Sequence, residues 1–159
     1  MEIEEYILKR KELCSSLYDF IVHSDDSNEQ FQSLINVFEK QSIFKDHQQI
    51  IELFQLISKI MENHCRSANF LKNIEDLFCY LLQDQKVSIT SNEMIKILKK
   101  EPFYLFDFFE KGIIIPDQSY ADAIYYYDLT CLYPFIKFFY DEKERKDIES
   151  EIKDFCNDE

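Results

Sequence analysis

QQIIELFQLISKIMENHCRSANFLKNIEDLFCYLL, residues 48–82, consists of two helical patterns joined by a tight polar turn. At about 100° per residue, Ile50, Ile51, Leu53, Phe54, Leu56, Ile57, Ile60 and Met61 cover an arc of roughly 220°, twice the stripe of an ordinary surface helix. Such a helix is expected to be buried from two sides and to act as the hub on which earlier and later helices pack. It ends near Asn63, and Ser67 can cap a second helix whose core side is Phe70, Leu71, Ile74, Leu77, Phe78 and Leu81. A turn of about four residues makes the two antiparallel neighbours, an αα-hairpin.

The turn itself carries His64, Cys65 and Arg66 side by side. A Cys–His nucleophile needs the imidazole within hydrogen-bond reach of the sulfur and a third group to orient it, whereas adjacent residues at a helix end point different ways. Asn63, His64, Arg66 and Ser67 are therefore read as a structural turn, with His64 and Arg66 expected to bond the free carbonyls at the preceding helix C-terminus. No catalytic, metal or cofactor site is expected in the chain.

Composition points the same way. The 159 residues suffice for one domain with its own core. They include 15 Phe and 10 Tyr but a single Gly and three Pro, too few turn formers for a hairpin-rich sheet. The formal charge of −13 repels phosphate backbones and anionic lipid, so neither nucleic acid nor a membrane is an expected partner. Five cysteines, scattered and without CxxC spacing, read as small core residues of a reduced, cytoplasmic protein. No apolar run approaches the roughly 20 residues that span a bilayer.

Working outward from the hub, residues 3–22 form an amphipathic helix, with Arg10 inside its apolar stripe, where it must snorkel or find a carboxylate. A second helix follows, with Ser27 at its cap and Phe31, Leu34, Ile35 and Phe38 on its core side; Asp46 caps the hub. Beyond the hairpin, Thr90 and Glu93 have capping-box spacing, and Pro102 opens a helix that Gly112 stops. Ile113, Ile114 and Ile115 read as a buried extended link, since there is no second strand for them to pair with. Asp117 caps a helix through Tyr125, and another runs from Thr130 through Phe139 towards a charged end. LFDFFEKG (residues 105–112) and PFIKFFYDE (134–142) echo each other about 30 residues apart, a spacing that belongs to helical-hairpin solenoids.

The segments ISKIMENHCRSANFLKNIEDLFCYLL (57–82) and MIKILKKEPFYLFDFFEKGIIIPD (94–117), with the opening MEIEEYILKRKEL, resemble the helical N-terminal region found ahead of ankyrin repeats in a very large family of protist proteins. The NHxRS turn with its following NF and the EKGIII stretch carry the resemblance. Ala68 stands where similar chains tend to have Pro, Arg10 stands where they tend to be apolar, and the repeats themselves are not present in these 159 residues. The resemblance implies a non-enzymatic helical module associated with protein-binding repeats, and it names no catalytic residue.

The expected architecture is an all-α array of antiparallel helical hairpins. It comprises a bundle over residues 1–86, degenerate ankyrin-like hairpins over 87–140, and a charged helix or tail over 141–159. The expected function is protein–protein interaction with a partner the residues do not identify, anchored by Tyr125, Tyr126, Tyr127, Tyr133 and Tyr140. The alternatives are a structural domain that self-associates through its charged end, or an enzyme or metal site using His64 and Cys65. The residues leave the oligomeric state open.

Overall fold

The computed structural model of the protein describes residues 2–25, 28–64, 67–140, 147, 149, 150 and 152–154. Most of these residues are helical and none is in a strand. No helix among them is long and apolar enough to cross a membrane. They gather into two compact units, Met1–Ser88 and Ile89–Glu159.

The first unit contains α1 (Ile3–His23), α2 (Asn28–Gln41), a 3-10 turn (Ile43–Lys45), α3 (His47–Glu62) and α4 (Ala68–Cys79). Asp46 caps α3 by accepting from the Gln48 amide at 3.0 Å, and Ser67 caps α4 by accepting from the Phe70 amide at 3.2 Å. The expected cap of α2, Ser27, lies outside the described residues. α3 buries Ile50, Leu53, Phe54, Ile57, Ile60 and Met61 and meets α4 where Phe54 lies edge-on to Phe78, ring centroids 5.4 Å apart. Ile51 and Leu56 are only half-buried, so the covered arc is narrower than the sequence suggests. α1 packs on α2, α3 and α4, burying Leu13, Leu17, Phe20 and Ile21, so it shares the centre of this unit with α3.

Two features tie the unit together over long stretches of chain. Asn73, on the buried side of α4, donates its side-chain amide to the carbonyls of Phe20, Ile21 and Ser24 at 3.1, 3.3 and 3.1 Å, holding the C-terminal end of α1. After Cys79, α4 widens into a π-helical turn, Tyr80–Asp84. The wider turn places the consecutive residues Tyr80 and Leu81 both in the core, with Tyr80 among the rings of Phe31, Phe38 and Phe44.

The second unit contains α5 (Ser91–Leu98), α6 (Pro102–Glu110), α7 (Gln118–Tyr126) and the short α8 (Tyr133–Ile136), flanked by 3-10 turns at Thr130–Leu132 and Lys137–Phe139. Both arms of the Thr90–Glu93 capping box form, at 3.0 and 3.2 Å. Gly112, with φ of 72°, ends α6 in the left-handed region. The amides of Ile113 and Ile114 then close on the Phe108 carbonyl at 2.9 and 3.3 Å. Only Ile114 is buried, whereas Ile115 is 78% exposed, so the isoleucine link is not the buried strip expected from the sequence. The single helix expected from Thr130 to Phe139 is instead three short pieces, with Pro134 near the start of α8. Of the charged end, residues 147, 149, 150 and 152–154 are helical, and the rest of that expectation lies outside the described residues.

Candidate functional site

α7 is the element on which an exposed aromatic surface is built. Asp117 caps it by accepting from the Tyr120 amide at 2.9 Å, and Tyr120, Ala121, Ala123 and Ile124 form its buried side. Tyr120 packs edge-on against Phe109, and burial pushes its phenol well above the usual tyrosine range. Helical spacing then turns Tyr125 and Tyr126 outward, at 49% and 80% exposure. On the same side, Gln118 donates to Asp122 at 2.9 Å, giving the face a polar edge.

The turn after α7 fixes the aromatic groups relative to one another. Asp128 adopts a left-handed φ of 56°, and its carboxylate accepts a short 2.6 Å hydrogen bond from the Tyr133 hydroxyl. Tyr125 stacks on Tyr133 with centroids 6.1 Å apart and leans on Tyr140 at 5.6 Å. Tyr126 meets Tyr127 edge to face at 5.0 Å, and the Lys99 ammonium lies 4.8 Å from the centre of the Tyr127 ring. The five tyrosines thus fall into two touching sets with different exposure. Tyr133 is 1% exposed and is not available as a partner anchor, because its ring completes the core and its hydroxyl is held by Asp128. Tyr127 and Tyr140 are half-buried supports, so Tyr125 and Tyr126 form the accessible surface.

The 63–67 turn is arranged differently from the sequence expectation. Asn63, not His64, bonds the end of α3: its side-chain amide donates to the Lys59 carbonyl at 2.9 Å. His64 packs against the rings of Tyr18 and Phe70, with centroids at 5.4 and 5.9 Å. Cys65 and Arg66 lie outside the described residues. Elsewhere, burial raises the Cys79 thiol, helped by Asp76, Asp84 and Glu75, and burial also raises that of Cys131. These shifts disfavour the thiolate that nucleophilic chemistry requires. Among the described residues no group of three His, Cys, Asp or Glu side chains is placed to hold a metal ion.

A cleft beside α1 was not read from the sequence. Tyr6, Lys9 and Arg10 of α1 face Gln41, Gln49 and Glu52 across a small open cleft of about 60 Å³. Arg10 reaches Glu52 at 3.8 Å, the carboxylate its place in the apolar stripe demands, and the Gln41 amide bridges to the Lys9 carbonyl at 2.9 Å. The signal in the sequence was Arg10 itself, a cation on a core meridian.

No family model, curated protein or solved structure matches the chain.

Proposed function

We propose that the chain is a non-enzymatic protein–protein interaction module of the cytoplasm, akin to the helical region that precedes ankyrin repeats in the protist family it resembles. The carrying observation is the pair Tyr125 and Tyr126, exposed on α7 and backed by Tyr127, Tyr133 and Tyr140. Tyrosine offers a large contact area with little conformational entropy to lose, and rings already braced by neighbours lose less still. The raised thiols of Cys79 and Cys131 weigh against nucleophilic catalysis, and the free thiols of Cys14, Cys79 and Cys131 suit a reducing compartment.

Ankyrin-like degenerate hairpins are the finer reading of residues 87–140. In support, α5 packs on α7 and α6 packs on the Thr130–Leu132 turn leading into α8, first on third and second on fourth, as in stacked hairpins. Phe106 and Phe109 of the first echoing segment meet Phe135 of the second at 5.0 and 5.4 Å between centroids.

The test is proximity labelling in the native cell with wild type and a Tyr125→Ala, Tyr126→Ala double variant shown by circular dichroism to be folded. The expected result is a reproducible neighbour labelled by the wild type and lost in the variant. Identical labelling by both forms would remove the tyrosines as the docking surface, and turnover of a substrate by the purified chain would overturn the non-enzymatic reading.

A further inference from the structure

The apolar stripe of α1 does not stop where the core does. From Leu17 and Leu13 it continues at helical spacing through Arg10, Tyr6, Ile7 and Ile3. Over that first stretch it is uncovered among the described residues: Ile3 is 78%, Tyr6 48%, Ile7 47% and the neighbouring Leu8 67% exposed. Where the stripe meets the core, Tyr6 and Arg10 form a wall of the cleft opposite Gln49 and Glu52. Charge is sorted along the same overhang, with Glu2, Glu4 and Glu5 at its start and Lys9, Arg10 and Lys11 some two turns later, roughly 10 Å along the axis.

The geometry points to a second copy of this chain as the occupant, its α1 overhang laid antiparallel on the first. A two-fold axis near Tyr6 and Ile7 keeps each flank of the helix facing the same flank of its copy. Glu5 then faces Lys9 of the second copy and Glu4 faces Lys11, each twice by symmetry, while Tyr6 and Ile7 of the two copies close over one another near the axis and Ile3 lies along the aliphatic stem of the copy's Arg10. A uniformly acidic or uniformly basic partner would match only half of the overhang, whereas α1 read backwards brings Lys9 and Lys11 to Glu5 and Glu4 and leaves only Glu2 near a like charge, Glu12. The intrachain pair Glu5–Lys9, at 3.7 Å, is part-exposed, so exchanging it between copies forfeits little, and Arg10 keeps Glu52 of its own chain. The patch is smaller than the about 800 Å² per partner of a standard interface, so the dimer is weak and rapidly exchanging. This inference rests on the first unit alone and is independent of the tyrosine surface.

Sedimentation of the full chain from low-micromolar to millimolar concentration tests it. The expected result is a mass that rises towards that of a dimer in the wild type. It should stay monomeric in Ile7→Asp, in the double variant Glu4→Lys, Glu5→Lys, and in the double variant Lys9→Glu, Lys11→Glu. These substitutions are on exposed or half-exposed positions, and unchanged helical circular dichroism checks that each variant folds. Mixing the two charge-reversed variants restores every cross-pair, so the mixture alone should regain association, at least about tenfold tighter than either variant with itself. A wild type that is monomeric throughout, association that survives the reversals, or a mixture that stays monomeric would each overturn the proposal. The first outcome would rule out a second copy as the occupant of the overhang, and the second would place self-association elsewhere, such as the charged end.

Discussion

Asn73 shows how much of this protein depends on single polar atoms. Its amide faces three carbonyls at the C-terminal end of α1, in a site where it is only 4% exposed. Asn73→Ala removes the donor and leaves those acceptors buried, and it is expected to lower unfolding free energy by about 1 to 3 kcal/mol. A urea titration reads this as a lower midpoint at unchanged slope; an unmoved midpoint would mean that water replaces the amide. Nothing local marks Asn73 in the sequence, because its partners lie 49 to 53 residues away. Asp46, Ser67, Thr90 and Asp117 were legible as caps for the opposite reason: each bonds an amide two or three residues ahead. His64 was misassigned because Asn63 already supplies the cap and the imidazole is held between the ring of Tyr18, from α1, and that of Phe70, six residues on. Tyr133 was misassigned because counting tyrosines does not reveal that one of them would find Asp128.

Among the elements, those whose ends are set by a residue's own backbone preference were visible in advance. α6 is the clearest, opened by Pro102 and closed by Gly112. A Cβ built on Gly112 meets nothing within 4 Å, so the cost of Gly112→Ala comes from its positive φ alone. Thermal unfolding should show a loss of about 1 kcal/mol, with Gly112→Asn less damaging because asparagine tolerates the left-handed region. A neutral Gly112→Ala would require α6 to end in a different conformation. The π turn at Tyr80–Asp84 and the division of Thr130–Phe139 into short pieces were not legible. Both arise where bulky rings compete for the same core, and a 3.6-residue period carries no mark of such competition. The exposed first turns of α1 were hidden by the same limit, since periodicity gives the direction of a stripe but not where its cover ends.

For the molecule as a whole, the scarcity of glycine and proline together with the aromatic excess led to an all-α fold because few other architectures could use that composition. What composition could not give is how the core is partitioned into the units Met1–Ser88 and Ile89–Glu159. Cores that are separate should fail separately. Ile57 is fully buried on α3, and Ile57→Asp places an unpaired charge there, a change expected to unfold the first unit outright. Amide hydrogen exchange resolved by peptide should show protection lost across α1 to α4 while α5, α6 and α7 keep theirs, since the caps of α5 and α7 and the packing of α5 on α7 belong to the second unit. Protection lost along the whole chain would mean that the two cores form one cooperative structure, and the tyrosine surface would then depend on the stability of the first unit.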